Sequence, residues 1–312
     1  MDFTPIQLAP ALKDYLWGGR RLITDFNIKT DLDKVAESWM LSTHPDGESI
    51  VISGKFAGKT LSEYISENGS ECLGSNAAAF DFFPVLIKLI DAKDSLSIQV
   101  HPNDEYALRV EGEYGKTEVW YIADCEPDAY LYYGLNCKVT KEEFISRIES
   151  NTLLEILNKV PVHKGDVFFI PSGTIHAICA GILICEIQQN SNTTYRVYDY
   201  DRRGKDGKPR ELHIEKAAEV SDLFPAPAQE KLPENMIARC KYFTAERVKC
   251  SGKLTVRTDE YCFRSLVILD GGGTLEMNNT VLELQKGDSV FIPAQNSTIN
   301  LIGEMEGIIS YV

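Results

Sequence analysis

The stretch Lys164-Gly-Asp-Val-Phe-Phe-Ile-Pro-Ser-Gly-Thr-Ile-His176 decides the fold, because its first eight residues return later as Lys286-Gly-Asp-Ser-Val-Phe-Ile-Pro293. Each copy opens with a Gly-Asp turn, runs through β-forming residues and stops at a proline, which cannot feed an interior ladder. A further apolar run precedes each copy: Val119-Trp-Tyr-Ile-Ala-Asp124 in the first case and Ser265-Leu-Val-Ile-Leu-Asp270 in the second. Self-similarity of this kind marks a duplicated structural unit, so the chain carries two related β modules. Most of the remaining sequence reads as short strands rich in Val, Ile, Tyr and Phe between Gly, Pro, Asn and Asp, the pattern of sandwiches and barrels. The fold class is therefore mainly β.

The 312 residues suffice for two ordinary cores. Phe224-Pro-Ala-Pro-Ala-Gln-Glu-Lys-Leu-Pro233 reads as an extended connector, which sets the expected modules at residues 1–234 and 235–312. Two stretches depart from the strand pattern. Thr140 to Lys159 sets Phe144, Ile148, Leu153 and Leu157 near helical spacing ahead of Pro161, and residues 104–110 read as one or two helical turns. Both are expected to be helical excursions from a β scaffold.

With 32 basic and 46 acidic residues, the net charge of -14 argues against nucleic acid or an anionic membrane as partner. A bound anion would need a local basic pocket. The first twenty residues have no basic start followed by an apolar core, so they do not read as a secretory signal. The longest apolar runs are broken by Lys88 and Glu186, well short of the ~20 residues of a membrane span. Eight scattered cysteines without a Cys-x-x-Cys pair fit reduced thiols, and a cytoplasmic location is expected.

Candidate chemistry begins with His176, which the bend at Pro171 and Gly173 aims inward from the next strand. In Ser97-Ile-Gln-Val-His-Pro102, strand alternation puts Gln99 and His101 on one face and Ile98 and Val100 on the other. Glu118 opens the next apolar strand. Singly, Gln99 and Glu118 are ordinary solvated strand residues; beside two histidines they become ligand candidates. Two imidazoles and a carboxylate suit Zn²⁺ in a site with an open position, though Fe²⁺, Mn²⁺ or Co²⁺ would accept the same set. His44, His163 and His213 lack paired ligand spacing and are not assigned to the metal. The second module has Arg264 and Thr298 where Glu118 and His176 would align, so it is expected to keep the fold without the ligands.

The spacing Gly165, Pro171, Gly173, His176 resembles the second signature motif of the cupins, with Ala180 where an asparagine is usual. The wider chain is similar to type I phosphomannose isomerases of the short bacterial form. Six blocks carry that resemblance: Tyr15-Leu-Trp-Gly-Gly-Arg-Arg-Leu22, Ala36-Glu-Ser-Trp39, Leu96-Ser-Ile-Gln-Val-His-Pro-Asn103, Gly115-Lys-Thr-Glu118, Pro171-Ser-Gly-Thr-Ile-His176 and Asn190-Ser-Asn-Thr-Thr-Tyr-Arg-Val-Tyr-Asp199. The resemblance implies two cupin (jelly-roll) barrels with a small helical insertion and interconversion of mannose 6-phosphate and fructose 6-phosphate. It also implies one zinc per chain at the positions of Gln99, His101, Glu118 and His176, and marks Arg196 as the catalytic arginine. Longer members carry a histidine where this chain has Gly115, so an acid/base proposed there is absent.

Aldose–ketose isomerisation moves a proton between C2 and C1, and a metal in a dry barrel stabilises the charge that grows on the sugar oxygens. Read alone, Arg196 is a surface partner of Asp199 or Asp201. Lys116 is the first candidate for a phosphate clamp or, with a lowered pKa, for a proton shuttle. Lys88, Arg202 and Arg203 follow as further phosphate candidates. Trp17 and the Gly18-Gly19 pair read as packing at a barrel end. Rival functions are a cupin dioxygenase, which needs redox-active iron, and a non-catalytic phosphosugar-binding cupin. The blocks around Lys116 and Arg196 favour the isomerase.

Overall fold

The structure is a computed structural model that describes residues 3–204 and 207–312. It is mainly β, as expected, and the chain divides into two compact units. One comprises Met1–Asp14, Arg20–Leu89 and Leu232–Val312; the other comprises Tyr15–Gly19 and Ile90–Lys231. The two units part between Lys231 and Leu232, and the unit that holds residues 232–312 also takes in residues 20–89. The reason is visible in its sheet. Strand Ser289–Ile292, the second copy of the repeat, pairs with Arg264–Met277 along one edge, and strand Ile6–Ala9 fills the other with Ile6 opposite Phe291. An open edge is thereby covered by residues from the start of the chain.

In the unit of residues 90–231, strand Glu118–Cys125 lies between Val167–Ile170 and Ile182–Gln189. A second sheet runs in the order Tyr195–Tyr198, Ile98–Val100, His176–Ile178, Tyr130–Leu135, Leu157–Pro161. One face of this sheet is apolar: Ile98, Val100, Ala177 and Val197 are buried together with Phe144, Ile148, Leu153, Ala217 and Ala218. The last five come from helix Lys141–Glu149, the turn after it, and helix Ile214–Val220. Because side chains alternate across a strand, the intervening residues Gln99, His176 and Arg196 are turned to the opposite face.

The expected helical run of residues 140–159 is shorter than its periodicity implied. Thr140 caps the helix by accepting from Glu143 N, but the helix ends at Glu149, Asn151 adopts φ 61°, and the chain continues as a 3₁₀ turn and strand Leu157–Pro161. The helix at Asp104–Val110 forms as expected, capped by Asn103.

The other unit repeats the strand logic with an aliphatic interior. Leu266, Ile268, Leu275, Leu284, Val290, Leu301 and Ile309 form one buried cluster there. Glu118 stands opposite Ile170 and Arg264 opposite Ile292, the same rung of the two repeats. Arg264 contacts Asp259 at 3.0 Å and lies over the Tyr311 ring. The Gly271-Gly-Gly273 triplet lies within strand Arg264–Met277, beside a register shift. A Cβ at Gly271, where φ is +70°, would stand 2.0 Å from Glu304 O, so the glycine serves close strand approach. No helix among the described residues is long and apolar enough to cross a membrane.

Candidate functional site

Antiparallel pairing builds the site as a row across one sheet. Tyr133 stands opposite His176, His176 opposite Gln99, and Gln99 opposite Arg196. Directly opposed residues share a face, so these side chains line the same side. His101 follows the strand that carries Gln99, and Glu118, fully buried, opens the neighbouring strand Glu118–Cys125. His101, Glu118 and His176 bring their ligand atoms within 4.8 Å of one another. His176 Nε2 lies 3.3 Å from Glu118 Oε1, and His101 Nε2 lies 3.7 Å from Glu118 Oε2.

The tautomers follow from the hydrogen bonds. His101 Nδ1 lies 2.9 Å from Thr193 O and His176 Nδ1 lies 2.8 Å from Thr174 O. A carbonyl only accepts, so both Nδ1 atoms donate, and in the neutral ring each Nε2 presents its lone pair. Burial pushes the His176 pKa down to about 4, so this ring is neutral at pH 7. Its buried Nε2 has no hydrogen-bond partner among the described residues. Lone pairs turned toward a carboxylate make an unfavourable group until a cation stands among them. The donor set, with a carbonyl behind each imidazole, therefore fits a divalent metal ion.

Lys116 and Glu186 complete the buried charges. Lys116 Nζ lies 2.9 Å from Glu118 Oε2 and 3.9 Å from Glu186 Oε1, while Glu186 Oε2 accepts the Trp120 indole N–H at 2.8 Å. Glu186 could not be singled out in the sequence because both faces of strand Ile182–Gln189 are buried, which removes the alternation that would have marked it. Gly115 is packed by backbone: a Cβ there would stand 2.4 Å from Asn103 C and 2.5 Å from Asp104 N. Position 115 therefore has no room here for any side chain, a histidine included.

Arg196 donates from Nε to Ser97 Oγ at 3.3 Å and from Nη1 to Glu211 O at 3.0 Å, while its backbone N–H donates to His213 Nδ1. Its guanidinium is held by Ser97 and the Glu211 carbonyl, while Asp199 holds two other arginines. Arg202 Nη2 lies 2.5 Å from Asp199 Oδ1, and Arg210 donates from Nε to Oδ2 at 2.7 Å. Burial alone would raise the Asp199 pKa, but hydrogen bonds from Arg210 and Arg202 outweigh it and hold the carboxyl below its usual range. The turn beyond it carries two non-glycine residues with positive φ, Tyr200 and Asp201. Arg210 lies outside every motif of the sequence reading and is recognisable only by this contact. Of the remaining candidates, Arg203 donates to Gly207 O, and Lys88, in the other compact unit, lies 3.5 Å from Glu37. Trp17 is buried, and a Cβ at Gly19 would stand 2.3 Å from the Asp91 carboxylate, in line with a packing role. His163 is exposed, His44 packs edge-on against Trp39, and His213 serves Arg196.

Comparison with known proteins places this arrangement. Residues 6–130 match the catalytic domain of type I phosphomannose isomerase, and residues 234–312 match the mannose-6-phosphate isomerase cupin domain. Mannose-6-phosphate isomerase ManA of Bacillus subtilis is 39% identical over the whole of both chains, and a mannose-6-phosphate isomerase of Streptococcus mutans is 37% identical over 98% of each. The crystal structure of the Bacillus subtilis mannose 6-phosphate isomerase superposes with a TM-score of 0.90 at 35% identity, covering 99% of this chain and 100% of that one. Full-length identity at this level, with the same fold, means that the chain belongs to the type I phosphomannose isomerase family.

Proposed function

We propose that the chain interconverts mannose 6-phosphate and fructose 6-phosphate at the His101–Glu118–His176 centre, with one zinc ion as cofactor. The observation that carries this reading is the convergence of two imidazole Nε2 atoms on a buried carboxylate, in a chain whose full-length relatives are named mannose-6-phosphate isomerases. Gln99, opposite His176 on the same face, is the fourth ligand in this proposal. When bound, the ion would supply Lewis-acid stabilisation of charge on the sugar oxygens.

Lys116 and Arg196 are the proposed catalytic pair. Lys116, buried beside Glu118 and acting as the neutral amine, takes the proton from C2 and returns it to C1 from the ammonium so formed, and Arg196, in the row of Gln99 and His176, holds charge on the open-chain sugar. Burial of Lys116 against Glu118 supports work at the reacting carbons and turns the phosphate toward Arg202 and Arg210, which Asp199 gathers into a cationic patch on an acidic chain. In this reading residues 1–234 form the catalytic module and 235–312 a module without ligands, in a cytoplasmic enzyme whose partner is a small sugar phosphate.

The test is a coupled assay of mannose 6-phosphate turnover by zinc-loaded, iron-free protein under anaerobic conditions. Turnover is expected. Activity that needs oxygen and iron would identify a dioxygenase, and tight phosphosugar binding without turnover a non-catalytic cupin.

A further inference from the structure

His101 and His176 take their orientation from carbonyls held in different ways. Thr174 O lies two residues from His176, within one bend of the chain. Thr193 O lies 92 positions from His101, in the turn that leads into strand Tyr195–Tyr198. The polar groups of that turn close on one carboxylate oxygen. Glu113 Oε2 accepts from Asn192 N at 3.2 Å, from Ser191 Oγ at 3.3 Å and from Thr193 Oγ1 at 3.2 Å. Ser191 Oγ in turn accepts from Thr193 N at 3.2 Å. Behind the turn, Gln188 Nε2 donates to Ser191 O at 2.6 Å, and Gln189 joins Thr117 N to Asp104 Oδ1. A carboxylate accepting several N–H and O–H donors makes stronger, shape-fixing bonds than a neutral acceptor.

We infer that Glu113 is a positioning residue for the metal centre: it fixes residues 191–193 so that the Thr193 carbonyl aims His101 Nε2 toward Glu118 and His176. The inference rests on the metal reading proposed above. It gives the Asn190-Ser-Asn-Thr-Thr block a role of its own, separate from that of Arg196. Glu113 touches neither ion nor sugar in this scheme and acts only through Thr193.

The experiment compares the full-length wild type with Glu113→Ala, Glu113→Gln and Thr193→Val. Zn²⁺ affinity is measured by competition with a chromophoric chelator, ligand geometry by the visible spectrum of the Co²⁺ form, and fold stability by the Tm of the metal-free chain. Loss of an outer-shell partner typically lowers metal affinity about 10- to 100-fold, and that loss is expected for Glu113→Ala together with an altered Co²⁺ spectrum. Glu113→Gln, which keeps an acceptor oxygen but not the charge, should lie between. Thr193→Val removes one donor to Glu113 while keeping the carbonyl and the branched shape, and should weaken binding in the same direction; it carries the test if Glu113→Ala does not fold. Affinity within about twofold of wild type and an unchanged Co²⁺ spectrum, with only Tm lowered, would show a purely structural role and overturn the inference. A wild-type chain that binds no divalent ion would overturn the metal reading itself.

Discussion

His176 combines full burial with a neutral ring, and that has a measurable cost in acid. Its pKa is about 4 in the folded chain against about 6.5 when unfolded, so between these values the unfolded chain binds a proton that the folded one refuses. Stability of the metal-free protein should therefore fall as pH is lowered from about 7 to about 4, by up to roughly 3 kcal/mol from this group. Urea unfolding at several pH values, read as the difference between wild type and His176→Ala, isolates the effect from His213, whose pKa burial also lowers. Equal pH dependence in the two proteins would refute it. Arg196 gives a kinetic counterpart. Arg196→Ala should lower kcat by about 10² to 10³ with metal content unchanged, since that is the typical cost of removing a preorganised donor. Lysine at 196 should restore only part, because it keeps the charge without the planar fork. A tenfold rise in KM at constant kcat would instead assign Arg196 to uniform substrate binding. The metal-type residues were legible in sequence because alternation and motif spacing both act over a few positions. Arg210, Glu186 and Glu113 were not: Glu186 and Glu113 are defined by partners far along the chain, Trp120 and residues 191–193, and Arg210 by Asp199 across an irregular turn with no periodicity to link them.

Among the elements, the stretch of residues 140–161 shows what periodicity reports. Phe144, Ile148, Leu153 and Leu157 all enter one apolar cluster, as their spacing implied, yet they arrive there from a helix, a 3₁₀ turn and a strand. The pattern recorded which side chains are buried and could not register the break at Asn151, whose left-handed backbone asparagine tolerates. The Gly271-Gly-Gly273 triplet makes the same point, since glycine serves a turn and a crowded strand equally well. Gly115 yields the prediction at this scale. Gly115→Ala places a methyl against the backbone of Asn103 and Asp104, and overpacking of this kind typically costs about 1 to 3 kcal/mol. Equilibrium unfolding of the metal-free variant measures it; unchanged stability would mean that the segment before Glu118 yields without strain.

For the chain as a whole, the duplicated rung decides metal stoichiometry. Arg264 stands where Glu118 stands, and the second interior is filled by aliphatic side chains. Elemental analysis should find one divalent ion per chain, none after His176→Ala, and one still after Arg264→Ala or Thr298→Ala; two equivalents would contradict the assignment. Leu275→Ala should destabilise by about 2 to 5 kcal/mol through the cavity it leaves, without changing metal content. The duplication was legible because the repeat is a local string, whereas the recruitment of residues 20–89 was not, since nothing near them names their partners. The discontinuous make-up of that unit also bears on the order of events during synthesis. Glu118, His101 and His176 all lie within Ile90–Lys231, a segment complete before the final stretch emerges from the ribosome. Gln7, by contrast, donates to Glu283 O across 276 positions of chain, and strand Ile6–Ala9 waits for Ser289–Ile292. Closing so long a loop is entropically slow, so the pairing of residues 6–9 with 289–292 sets the pace of maturation while the segment bearing the three ligands can already have condensed.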